Sequence, residues 1–256
     1  EAFRFIDFNT VGLLLGMMLL ISVIKETGAF TYIAIRITKM TGGSRWKILL
    51  WFSALTAVSS ALLDNVTTIL LIAPITILIA EMLSISPFPF LISEILASNI
   101  GGTATLIGDP PNILIGSATE IPFVDFLIHL GPVALIILGV TLAVLGVLFR
   151  KDLRAGGKDY DSIIAEMDET KVIKNRGILR KSILVLSLTI AGFLFHNMLG
   201  LKPATIALGG GGVLMVWSGA DIEKHLREIE WTTLFFFMGL FILVGGLEKT
   251  GVLETL

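Results

Sequence analysis

The stretch Ala97-Ser98-Asn99-Ile100-Gly101-Gly102-Thr103-Ala104-Thr105-Leu106-Ile107-Gly108-Asp109-Pro110-Pro111-Asn112 decides the fold. It lies in a run from Ile48 to Phe149 that contains no Lys or Arg. Residues 90–99 before it make only about 15 Å of helix, roughly half a hydrocarbon core. Gly101-Gly102 permits φ values closed to other residues, and Pro110-Pro111 removes two backbone donors, so the helix must break. A second half-helix can start near Pro110. Such a break exposes carbonyls from the first half, which attract a cation, and N–H groups from the second, which attract an anion. Asn99, Thr103, Thr105, Asp109 and Asn112 add hard oxygens suited to Na⁺ or to a proton shared with water. No Gly-Lys-Ser/Thr follows, so this is not a phosphate-binding loop. A merely structural kink needs one Pro or Gly, not so long a polar, small-residue stretch.

Leu62-Leu63-Asp64-Asn65-Val66-Thr67-Thr68-Ile69 is a second polar interruption between apolar arms, residues 46–63 and 66–82. At membrane depth an irregular polar turn must be buried in protein or line a wet cavity. That makes 46–82 a re-entrant hairpin with Asp64 as a candidate functional carboxylate. An ordinary loop between two spanning helices is the competing reading. Both return the chain to the side it left. Glu94 either assists the break or faces a polar neighbour. His129 and His196 read as packing or interfacial groups, Asp7 and Glu230 as partners of helix N-termini, and Gly209–Gly212 as a close-packing surface.

The whole sequence agrees with a membrane setting. It is 54% hydrophobic and 16% charged, with a mean hydropathy of +0.89, whereas a soluble domain carries about a quarter charged residues. The net charge of −2 offers nothing to nucleic acid, and the lack of cysteine excludes disulfides and thiolate metal sites. Spans are predicted over 8–24, 123–149, 182–198, 203–217 and 231–247, with the broken helix over about 90–118. The basic segment 150–181 is cytoplasmic by the positive-inside rule, and so are Lys25, Arg36, Lys39, Arg45 and Lys47. Residues 29–40 suit a short interfacial helix. Glu120 and Asp125 then fall outside.

Ile6-Asp7-Phe8-Asn9-Thr10 resembles Ile229-Glu230-Trp231-Thr232-Thr233, and the same offset pairs Gly16 with Gly239, Leu20 with Leu243, and Thr27-Gly28 with Thr250-Gly251. With crossings counted, the two copies run in opposite directions, as in the inverted repeats of many secondary transporters. The chain starts just before one apolar helix and stops just after another. It therefore reads as an internal piece of one transmembrane domain: a first-repeat portion 1–149, a cytoplasmic loop 150–181, and the start of a second repeat, 182–256.

Asn99 to Asn112 and Asp64-Asn65-Val66-Thr67-Thr68 resemble the two signature loops of the arsenite permease/P-protein branch of the ion transporter superfamily, which is related to sodium/proton antiporters, citrate transporters and divalent-anion/sodium symporters. The resemblance implies an all-α polytopic fold with inverted repeats, a re-entrant hairpin and a broken helix. It places Asp64, Asn65, Thr67 and Thr68 at the hairpin tip. Asn99, Gly101, Gly102, Thr103, Thr105, Gly108, Asp109 and Asn112 line the unwound segment, with a possible Na⁺ near Asn65, Asn99 and Asp109. It further implies a homodimer in a prokaryotic plasma membrane, elevator-like alternating access, a small ion substrate, and no cofactor beyond Na⁺ or H⁺. The symporters carry Ser where Asp64 and Asp109 stand. Two carboxylates in one desolvated clamp repel each other and a dicarboxylate, so one is expected to keep a proton. This favours proton coupling, or a neutral or cationic substrate. Arsenite and sodium/proton exchange both fit. A channel-like protein and an intramembrane enzyme using the two aspartates are the rival classes; no flanking motif supports cleavage chemistry.

Overall fold

The computed structural model describes residues 2–119, 121–154 and 171–250. Among these residues the chain is helical throughout, without strands. After a 3₁₀ turn at Ala2–Phe5 come α1 (Phe8–Glu26), α2 (Ala29–Thr41), α3 (Arg45–Leu62), α4 (Asn65–Met82), α5 (Phe88–Thr103), α6 (Pro110–Thr119), α7 (Phe123–Leu148) and α8 (Arg150–Arg154). Then follow α9 (Arg176–Leu199), α10 (Pro203–Ser218), α11 (Ile222–Arg227) and α12 (Trp231–Lys249). Five of them, α1, α4, α7, α9 and α12, are long and apolar enough to cross a membrane. This is a multi-pass, all-α membrane protein. Glu120, Gly251 and the middle of the predicted cytoplasmic loop lie outside the described residues.

The chain divides into two compact units. One, Ile24–Leu179, holds the two polar interruptions and is termed the hairpin unit; the other, termed the repeat unit, joins Glu1–Val23 to Arg180–Leu256 and holds the second copy of the repeat with all but the end of the first.

In the repeat unit, α1 and α10 run side by side with small residues between them. A Cβ at Gly12 would lie 3.2 Å from the Ala204 Cβ, and one at Gly211 would lie 3.0 Å from the Gly16 carbonyl oxygen. At Gly16 it would run into the Ala207–Leu208 backbone. Close backbone approach replaces the hydrophobic effect as the force between helices in lipid. Of the Gly209–Gly212 run, Gly211 supplies such a contact, Gly210 lies against the Thr189 hydroxyl of α9, and Gly209 and Gly212 face open space. The repeat extends to local geometry. α1 and α12 are each 19 residues long and begin at equivalent positions, Phe8 and Trp231. Thr10 Oγ1 donates to Asp7 Oδ2 (2.6 Å), and its counterpart Thr233 Oγ1 donates to Glu230 Oε2 (3.1 Å). Thr27 and Thr250 donate to the equivalent carbonyls of Ile24 and Leu247. Phe5, just before α1, sits on Gly245 in the last third of α12. The two copies therefore meet start to end.

In the hairpin unit, α3 and α4 form a tight helical hairpin with only Leu63 and Asp64 between them. The bases of α3 and α5 share one end of the unit. Trp46 packs on Gly146 near the end of α7, Arg45 Nη1 donates to the Asp152 carbonyl (2.8 Å), and Phe88 meets Phe149 edge to face with centroids 6.0 Å apart. The α3–α4 turn meets the α5–α6 break at the other end of α3 and α5. α7 is the most apolar and the least buried of the five candidate spans.

Candidate functional site

Two turns build the site, each set by a helix start. Asp64 precedes α4 in extended backbone, and its Oδ1 accepts from the Thr67 N–H (2.8 Å), an N-cap. Asp109 precedes α6, and its carbonyl accepts from the N–H groups of Asn112 (3.0 Å) and Ile113 (3.3 Å). Pro110 and Pro111 open that helix, where a missing N–H costs nothing. Both carboxylates thus stand at the positive ends of helices, which attract negative charge.

The glycines act differently from the sequence expectation. Gly101 and Gly102 lie within α5, and neither they nor Gly108 has a positive φ. The helix continues through them and ends at Thr103. Their function is closeness. A Cβ at Gly101 would overlap the Ala57 backbone, and one at Gly108 would lie 2.6 Å from the carbonyl oxygens of both Gly102 and Ser60. α3, α5 and the unwound residues 104–109 meet backbone to backbone.

Side chains then lock the break. Asn112 Nδ2 donates to the carbonyls of Gly102 (3.1 Å) and Thr105 (2.9 Å), using up carbonyls that the end of α5 leaves open. Thr105 Oγ1 donates to the Ala61 carbonyl of α3 and accepts from the Gly108 N–H (3.0 Å). Thr103 Oγ1 donates to the Ile100 carbonyl (2.8 Å). Ser60 Oγ donates to the Ser98 carbonyl (2.6 Å). Ser60 and Ser98 were not among the expected site residues, although a hydroxyl one turn before Asp64 was a legible signal.

Across the two turns, Asn65 Nδ2 donates to Asn99 Oδ1 (3.1 Å), and Asn99 Nδ2 donates back to its own helix at Ile95 (2.8 Å). The Asn65–Asn99 bond thus bridges the two turns, of which Asp64 stands in the first and Asp109 in the second. Asn99 and Thr103 are exposed; Asp64, Asn65, Thr67 and Asp109 are half-buried; Thr68, Thr105 and Asn112 are buried. The Thr68 hydroxyl has no hydrogen-bond partner. Glu94 faces a polar neighbour: it is fully buried, Oε1 accepts from Thr76 Oγ1 of α4 (2.5 Å), and Oε2 has no partner. His129 and His196 each bond a carbonyl of their own helix, Asp125 and Phe193, as packing groups do.

The hairpin unit thus gathers polar side chains at two turns between apolar helices. The profile of the citrate transporter family matches residues 1–256, and the chain belongs to that family. It is 44% identical over 252 residues to an uncharacterized transporter of Mycobacterium tuberculosis, covering 98% of this chain and 58% of that protein. It is 45% identical over 251 residues to the 46 kDa membrane protein of Mycobacterium leprae, with the same coverage of 98% and 58%. The P protein of Sus scrofa is 30% identical over 325 residues, covering 99% of this chain and 38% of that protein. The chain spans less than two thirds of the length of these relatives. The likeness to P proteins agrees with the branch that the two signature loops resemble.

Proposed function

We propose that the chain forms part of an ion-coupled secondary transporter, in which the α3–α4 turn and the α5–α6 break bind a small ion together with Na⁺ or H⁺. The carrying observation is the Asn65–Asn99 hydrogen bond that joins the two turns, backed by the Ser60–Ser98 and Thr105–Ala61 bonds, with Asp64 and Asp109 each standing in one of the turns, all within one compact unit. The α3–α4 turn ends level with the break, since Ser60 and Ala61 bond to Ser98 and Thr105. That supports a re-entrant hairpin over two full spans. A site contained in one unit, with the repeat helices in another, fits alternating access by movement of one body against a scaffold, and a homodimer fits the same scheme.

The family's name points to a carboxylate substrate. Two aspartates at the site repel a bare polyanion, so such a substrate needs a coupling cation between them; an arsenite-type substrate needs none. Sodium/proton exchange is the second reading, favoured by the same paired carboxylates. A citrate and arsenite panel in proteoliposomes of the full-length protein, under imposed Na⁺ or pH gradients, separates these readings. Saturable flux that follows one gradient supports transport, and flux indifferent to every gradient supports a channel.

A further inference from the structure

Glu94 stands on α5 one turn before Ser98, on the face that α5 turns toward α3, because Ser98 and Gly101 of that face meet Ser60 and Ala57. It is fully buried. Its one hydrogen bond comes from Thr76 Oγ1 of α4 (2.5 Å), and Oε2 has no partner. Ser53 continues the α3 stripe of Ser60 and Ala57 toward the base of the helix, as Glu94 continues the α5 stripe of Gly101 and Ser98. Ser53 is also fully buried, and its Oγ also has no partner. The nearby buried hydroxyls of Thr56 and Ser93 differ, since each bonds a carbonyl of its own helix. No Lys or Arg occurs between Ile48 and Phe149. The helices packed most closely on α5 carry Arg45 and Lys47 at the start of α3, Glu81 in the last turn of α4, and Asp125 and His129 in the first two turns of α7. None of these bonds Glu94. Asp64 and Asp109 belong to the turns beyond the far end of α5, about 14 Å of helix away.

We propose that Glu94 is a proton-binding site of its own, separate from the Asp64 and Asp109 turns, which holds a proton while buried and yields it to water when α3, α4 and α5 let water in. A buried carboxylate with neither a countercharge nor a full set of donors is held in place only as the neutral acid. The O–H so formed has no acceptor in the protein, and the Ser53 hydroxyl opposite has no partner either. Both are partners for a water, the group that carries a proton to or from a buried acid. In the release step the O–H bond breaks, the proton leaves on water as hydronium, and the carboxylate stays until water returns a proton to it. A metal cation is a poorer occupant, because hard cations take a shell of several oxygens. A part for this proton in coupling rests on the transport reading above; proton binding by Glu94 does not.

The test reads the carboxyl directly, in infrared spectra of the full-length protein in lipid bilayers recorded through a pH series. The expected result is the carbonyl stretch of a neutral carboxyl at acid pH, which disappears on the alkaline side while carboxylate bands grow. Glu94→Gln should abolish this band, and Asp109→Asn should leave it in place. Thr76→Val should move it to higher wavenumber, because the hydrogen bond to Oε1 is gone; this assigns the band even if Glu94→Gln does not fold. A Glu94 band that persists at every pH the folded protein tolerates would overturn the proposal, because the carboxyl would then be a permanently neutral tie between α4 and α5. The lack of any band sensitive to these variants at acid pH would overturn it too, because Glu94 would then be ionised where it lies. The readout involves no flux, so a protein that fails to transport would sink the functional reading and leave this site standing.

Discussion

Gly101 has no room for a methyl group, because a Cβ there would overlap the Ala57 backbone on α3. Gly101→Ala must push two helices apart, and overpacking of this kind costs about 1–3 kcal/mol. In a thermal-unfolding assay of the purified full-length protein it should lower the midpoint clearly, whereas Gly212→Ala, with open space around it, should not. Thr76 and Glu94 give a second residue-scale prediction. Thr76→Val removes the hydroxyl that bonds Glu94 Oε1 and leaves a buried carboxyl without a donor, at a cost of about 1–3 kcal/mol. Glu94→Gln keeps an acceptor for Thr76, so it should unfold near the wild-type midpoint; equal losses in both variants would show that the pair is not a unit. At this scale the sequence was half legible. Asp64, Asn65, Asn99 and Asp109 stood out because polar groups are rare between apolar arms. The glycines were read for the wrong property, since φ freedom belongs to a residue while closeness depends on a partner helix that local sequence does not name. Asn112 and Thr105 looked like ligands, and their hydrogen bonds to backbone carbonyls fasten the break.

Helices were more legible than residues, because a run of apolar side chains sets a span whatever it packs against. The predicted spans at 8–24, 123–149, 203–217 and 231–247 match α1, α7, α10 and α12 to within a couple of residues at each end. α9 begins at Arg176, six residues before the predicted 182, because it extends past the apolar run. Its start was marked by Asn175, whose Oδ1 accepts from the N–H groups of Gly177 and Ile178. α11 was not foreseen although Asp221 caps it in the same way. A short helix was expected at 29–40, and α2 runs from Ala29 to Thr41. The element-scale prediction concerns Asp64, which both caps α4 and brings charge to the site. Asp64→Ser keeps a capping oxygen and removes the charge; Asp64→Ala removes both, with a cap loss of about 1 kcal/mol. If the two roles are separate, Asp64→Ser should fold like the wild type with altered cation dependence of transport, and Asp64→Ala should also lose thermal stability. Unaltered cation dependence in Asp64→Ser would leave this aspartate a cap and nothing more.

For the whole molecule, the sequence carried the repeat through matched Thr and Gly positions, and the structure adds matched hydrogen bonds at Thr10 and Thr233. The division into two compact units was not legible, since it depends on which apolar helices choose each other. Orientation is predicted from the charge pattern alone, which expects α8 on the cytoplasmic side. A cysteine at Arg154, an exposed position, in a full-length protein without other cysteines should react with an impermeant thiol reagent only after the membrane is opened. Labelling in intact cells would reverse the topology. The central claim is that the Asp64 and Asp109 turns form one cation-dependent transport site, and Asp109→Asn tests it most directly. Gradient-driven uptake is measured in proteoliposomes, wild type against Asp109→Asn, once under a pH gradient without sodium and once under a sodium gradient without a pH step. The predicted result is that the wild type follows one of the two gradients, while Asp109→Asn inserts normally and shows uptake that is lost or no longer follows that gradient. Wild-type uptake by Asp109→Asn, with the same dependence on the driving cation, would contradict the account.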